Sequence, residues 1–125
     1  MNLSLKPTLT VRGLVAALAL GAAQLAHAHA YPTHEMPGAG ATVPTSTHTV
    51  AIDFDDGLEP AFSSIAVTDA HGHPVTSAKA VVDANDRKHM SVALEPLAPG
   101  DYAVAWVAVA EDGHRTQGHY HFTVK

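Results

Sequence analysis

Cysteine is absent from this chain of 125 residues. That excludes disulfides and thiolate metal sites, so stability must come from packing and any metal must be held by other donors. Basic residues are few, seven Lys and Arg against twelve Asp and Glu. The chain therefore lacks the cations that would replace phosphate counterions, which argues against nucleic acid and an anionic membrane surface as partners. A cationic ligand suits the sign of the charge better. Long hydrophobic runs are missing too, because the apolar stretch "LVAALALGAAQLA" at 14–26 is too short and too alanine-rich to span a bilayer.

That stretch has another use. Lys6 and Arg12 precede it and small residues follow it in "AHAHA" at 26–30, the layout of a secretory signal with its peptidase site. Residues 1–28 are accordingly expected to be a cleaved signal peptide, leaving residues 29–125 as one small exported, soluble domain. Loss of Lys6 and Arg12 leaves five basic residues against twelve acidic ones, a mature charge of about −7 with histidines neutral. A cut after Ala30 is the alternative, and it makes Tyr31 the first residue instead of His29.

The mature region shows no helical period. Val50, Ile52 and Phe54 alternate with polar residues in "HTVAIDFDD", as do Ile65 and Val67 in "SSIAVTD" and Met90, Val92 and Leu94 in "KHMSVAL". Tyr102, Val104 and Trp106 continue the pattern in "DYAVAWVAVA", followed by Tyr120, Phe122 and Val124 in "HYHFTVK". A period of two marks half-buried strands, and the connectors "DDGLEP", "DAHGHP", "DANDR", "EPLAPG" and "EDGH" carry turn residues. About seven short strands without helices predict an all-β, Greek-key antiparallel β-sandwich. Trp106 and Tyr102 read as core anchors.

Histidine is dense for a chain of this size: ten in all, nine of them after position 28. A chain that begins with His29 offers one ion two nitrogens, the α-amine and imidazole Nδ1, in a six-membered chelate ring. The amine has an ordinary pKa of about 7.7 to 8.0, so a strong Lewis acid displaces its proton at small cost near neutral pH. A His beside a cleavage site also occurs without any role, so further donors are needed. Asp112 and His114 in "AVAEDGHRTQG" are the best partners: a spacing of two puts both on one side of an extended segment, and Gly113 permits curvature. Together with His29 they make three nitrogens and one carboxylate oxygen, a set suited to tetragonal Cu(II) and lacking soft sulfur for Cu(I). Zn(II) accepts similar donors but prefers a tetrahedron.

The same residues carry a family likeness. The block "LAPGDYAVAWVAVAEDGHRTQGHYHFTV" at 97–124 resembles the C-terminal pattern of the CopC family, with its Pro-Gly, Tyr, Val and Trp, then Asp-x-His, Gly and a closing Phe-x-Val. More loosely, "HAYPTHEMPGAGATV" at 29–43 resembles that family's start. The resemblance implies a cupredoxin- or immunoglobulin-like sandwich over 29–125, a periplasmic Cu(II)-binding protein of copper homeostasis and resistance that buffers or delivers copper, and no enzymatic turnover. It implies one Cu(II) per mature chain held by His29, Asp112 and His114, with an inner-membrane copper importer of the CopD type as a partner and a monomeric state. Asp56 in "FDDGLEP" lies where the family often has a supporting Glu, and Glu59 is the alternative for that role. Some members hold Cu(I) in a methionine-rich loop, but the corresponding segment here is "AHGHPVTS" at 70–77, and only Met36 and Met90 follow the signal. No Cu(I) site of that kind is expected.

The other histidines read as surface or loop residues: His71 and His73 in a hairpin turn, with a weak second site as the alternative, His34 in a loop, with metal contact alongside Glu35 and Met36 as the alternative, His48 and His89 on the surface, His119 and His121 facing away from the core. Two rival functions compete with this reading. A copper oxygenase with an N-terminal His would need a broad, often aromatic substrate surface, whereas the chain has one Trp, three Tyr and three Phe. A sandwich that only binds another protein would not need Asp112 and His114.

Overall fold

The structure is a computed structural model, and it describes residues 29–125. Residues 1–28, and with them the expected signal peptide, lie outside the described residues. Eight strands follow in order: β1 (Pro32–Met36), β2 (Thr42–Val43), β3 (Thr49–Phe54), β4 (Ser64–Asp69), β5 (Val81–Val82), β6 (His89–Ala93), β7 (Gly100–Val109) and β8 (Arg115–Val124). They form two four-stranded sheets, ordered β1-β3-β6-β5 and β2-β8-β7-β4. Strands β1 to β5 pass from sheet to sheet at every step, which gives the crossing connections of a Greek-key sandwich.

The period of two is what builds the core. Val50, Ile52 and Phe54 of β3 and Met90 and Val92 of β6 turn inward from the first sheet, and all are buried. From the second sheet come Ile65 and Val67, then Tyr102, Val104, Trp106 and Ala108, then Tyr120, Phe122 and Val124. Phe54 of the first sheet meets Trp106 of the second edge-on at 5.4 Å, joining the layers, and within the second sheet Tyr102 stacks on its register partner Phe122 at 5.5 Å. The Tyr102 hydroxyl donates to the Ala98 carbonyl at 2.7 Å, so the polar end of an anchor ring is satisfied. Gly118 lies opposite Trp106 in the β7–β8 register, and a Cβ there would stand 2.6 Å from Trp106 Cζ2. The indole therefore occupies the space that any side chain at 118 would need.

Two features depart from the sequence reading. The strands number eight, because β2 and β5 have two residues each, too short for any period to register. The sandwich is also not wholly antiparallel, since β2 runs parallel to β8. One inward polar group is poorly served: the Tyr120 hydroxyl is buried without a hydrogen-bond partner among the described residues. Burial, and secondarily the charge of Glu35, holds its pKa above the usual tyrosine range. Glu35 itself lies opposite the buried Ile52, and burial raises its carboxyl above the ordinary value.

Candidate metal centre

Both sheets contribute to one pole of the sandwich, where the chain enters β1 and where the β7–β8 hairpin turns. Ala30 is fully buried there, and its carbonyl accepts a hydrogen bond from Thr116 Oγ1 of β8 at 2.5 Å. The next residue is held from the other sheet. Tyr31 donates its N–H to Asp55 Oδ1 at 2.8 Å, and Asp55 returns its own N–H to the Tyr31 carbonyl at 3.0 Å. Two consecutive residues are thus tied to opposite sheets, and the residue before them, His29, is delivered to a fixed place.

That place is beside His114. The two imidazole centres are 4.9 Å apart with planes at 53°. With metal–nitrogen bonds of about 2.0 Å, two imidazoles on adjacent coordination positions of one ion have centres roughly 4.5 to 5 Å apart. The spacing already suits a shared ion. Tyr31 is the next ring, 6.0 Å from His29.

Asp112 and His114 converge for a different reason from the one the spacing suggested. The segment is a turn and not an extended strand: Gly113 has φ +91°, and its N–H donates to the Ala110 carbonyl at 2.9 Å. Asp112 Oδ1 accepts the His114 N–H at 3.0 Å while Oδ2 accepts from His114 Nδ1 at 2.8 Å. The carboxylate grips both backbone and ring of one residue. Its bond to Nδ1 places the proton there and leaves the Nε2 lone pair directed outward, the tautomer a metal ligand requires.

His29, Asp112 and His114 are thus brought together at one pole. Among the described residues no three or more His, Cys, Asp and Glu side chains stand in an arrangement that could hold a metal ion. The fourth expected donor, the α-amine of His29, exists only once residue 28 has been removed.

The supporting carboxylates differ from expectation. Asp56 Oδ1 accepts the N–H of Gly57 at 2.8 Å, a local contact. Glu59 and Glu111 flank Arg87, at 3.8 and 3.4 Å, and the Arg87 guanidinium also donates to the Leu58 carbonyl at 3.1 Å. The residue that meets the N-terminal segment is Asp55, which the sequence reading passed over; it directly follows the inward-facing Phe54 at the end of β3, and that was its only signal.

The remaining histidines are dispersed. His71 and His73 occupy the turn after β4, at the opposite pole, with ring centres 6.2 Å apart. Asp69 Oδ1 accepts the N–H groups of His71 at 2.9 Å and His73 at 3.0 Å, and these bonds, His73 first, hold the Asp69 carboxyl below its usual range. His119 and His121 are exposed on β8. His34 belongs to β1 and not to the expected loop, and His89, expected on the surface, is half-buried against Asp53.

A CopC domain model matches residues 33–125. Protein YobA of Escherichia coli strain K12 is 37% identical over 99 residues, which cover 78% of this chain and 80% of that protein. The crystal structure of CopC from Methylosinus trichosporium OB3b superposes with TM-score 0.72 at 33% identity, covering 78% of this chain and 94% of that one. PcoC, a methionine-rich copper resistance protein from Escherichia coli, gives TM-score 0.70 at 35% identity over 78% of this chain and all of that one. These matches, on a sandwich that gathers His29, Asp112 and His114 at one pole, show that the chain belongs to the CopC family, whose relatives point to a role in copper resistance.

Proposed function

We propose that the mature protein begins at His29 and binds Cu(II) in the periplasm through the His29 amine and imidazole, His114 Nε2 and an Asp112 carboxylate oxygen. A carboxylate has about four lone-pair sites, so Asp112 holds the His114 ring and still donates to the ion. The 4.9 Å spacing of the His29 and His114 rings is the observation that carries this reading. Cleavage after Ala28 suits the architecture, because cleavage after Ala30 would delete a buried residue and the carbonyl that Thr116 grips.

The protein buffers copper and delivers it, as a monomer, to an inner-membrane importer of the CopD type, the partner that its family suggests. Catalysis is not its task in this reading, since four protein donors would leave little room for substrate at the ion. The test is a pair of measurements on the exported protein. Intact mass should show a start at His29, and electron paramagnetic resonance at one equivalent of Cu(II) should show nitrogen hyperfine structure from two imidazoles and an amine. A start at Tyr31, or a spectrum unchanged after acetylation of the amine, refutes the assignment.

A further inference from the structure

The carboxylate–imidazole pairing of Asp112 and His114 has a counterpart on the outer face of the first sheet. His89 Nδ1 donates to Asp53 Oδ1 at 2.6 Å, and the two side chains are 35% and 42% exposed. In the register, Asp53 lies directly opposite His89 on β6 and directly opposite His34 on β1. Directly opposed residues project from the same face of an antiparallel sheet. This face looks away from the core, because Ile52, Phe54 and Met90, the sequence neighbours of Asp53 and His89, are buried on the other side. His34, Asp53 and His89 therefore form a row across three adjacent strands, a carboxylate flanked by two imidazoles, and none of them belongs to the centre described above.

The three side chains as they stand do not enclose an ion, but the two histidines of the row are within reach of one. The bond to Asp53 puts the His89 proton on Nδ1 and turns the Nε2 lone pair outward, as at His114. Opposed Cα atoms are about 4.5 to 5.5 Å apart, so the ends of the row are roughly 10 Å apart. An imidazole with a metal bond of about 2.0 to 2.1 Å sets its ion about 6 Å from its own Cα. Both histidines can thus reach one ion above Asp53, and His34, which is exposed, has the freedom to rotate toward it.

We propose that His34 and His89, with His89 held by Asp53, form a second binding site for Cu(II) on the β1–β3–β6 face. Two nitrogen donors favour Cu(II) over other divalent first-row ions. Water fills the remaining positions, so this site is open-sided and weaker than the centre at His29, and it raises the capacity of the chain to two ions.

The site does not depend on the reading of His29, Asp112 and His114, and the experiment keeps the two apart. The exported protein is titrated with Cu(II) by equilibrium dialysis, and paramagnetic broadening is followed in ¹H–¹⁵N spectra, in the wild type and in a His114→Ala background. A second equivalent should bind with at least ~10-fold lower affinity than the first, matching the smaller donor set, and should broaden the signals of His34 and His89. His34→Gln/His89→Gln should abolish it and leave the first equivalent intact. Asp53→Asn, which releases His89, should weaken it about 10-fold. In the His114→Ala background the same signals should still broaden, whatever becomes of the other centre. Absence of a second equivalent, its survival in His34→Gln/His89→Gln, or its loss in His71→Gln/His73→Gln or His119→Gln/His121→Gln instead, would overturn the proposal.

Discussion

Two turns of this protein carry nearly the same local chemistry and differ in what reaches them. In the β7–β8 turn, Asp112 accepts from the N–H and ring of His114 beside Gly113 at φ +91°. In the turn after β4, Asp69 accepts the N–H groups of His71 and His73 around Gly72 at φ +79°, with His73 Nδ1 3.6 Å from its second oxygen. Each is an Asp whose side chain organises a following histidine. The first turn receives a histidine from elsewhere in the chain, because buried Ala30 and clamped Tyr31 deliver His29 to it, whereas the residue beside the second is Asp101. The local motif is common; a distant residue anchored next to it makes it a candidate centre.

The comparison is broken most severely by removing the delivered donor or its partner. His114→Ala, or acetylation of the mature amine, should lower Cu(II) affinity by more than about 100-fold, beyond the range of changes outside the ligand sphere. A competition titration against a chelator of known affinity reads this directly. Reduction comes next: neither turn offers sulfur, so ascorbate should release copper from the β7–β8 centre, since nitrogen and carboxylate donors suit Cu(II) better than Cu(I). Equal retention of both oxidation states would contradict that assignment.

The anchors should matter less than the donors. Thr116→Val removes the bond to the Ala30 carbonyl and Asp55→Ala removes the acceptor of the Tyr31 N–H. Each should weaken Cu(II) binding about 10-fold, as loss of a positioning contact does, and should broaden the paramagnetic resonance lines as His29 becomes less well placed. The opposite turn should be nearly silent at the first equivalent. His71→Gln/His73→Gln should leave that affinity unchanged within a factor of about 2, as distant sites behave independently.

Glu35 separates metal effects from stability effects. Its folded carboxyl titrates above the ordinary 4.5, so the folded state favours the protonated form. The associated stability is fully present below pH 4.5 and is lost as pH rises through the folded pKa. Glu35→Gln should therefore raise the melting temperature near neutral pH, with the gain shrinking in acid, and leave the copper titration unchanged. Thermal melts across pH 4 to 8 check the sign.

What is legible in the sequence and what is not differ in range. The inward residues of β3, β4, β6, β7 and β8 were legible because alternation is local, and each proposed core position in those strands is buried. His29, Asp112 and His114 were legible because donor chemistry and a two-residue spacing are also local. Asp55 was not: its partner Tyr31 lies 24 positions away, and an adjacent Asp offered the same composition. For Asp112 and His114 the residues allow both an extended segment and a turn at "EDGH", and Gly113 at φ +91° decides for the turn.

By itself, the sequence determined the class of fold, the inward and outward faces of the long strands, and a donor set of nitrogen and oxygen without thiolate. Tertiary structure alone decided that β2 runs parallel to β8, that the chain entering β1 is tied to both sheets, and that His34, Asp53 and His89 share one row. The physical reason is the reach of each cause. A period of two and the identity of a side chain act over a few residues, whereas register and anchoring depend on which distant strands pair, and pairing is settled by the packing of the whole sandwich.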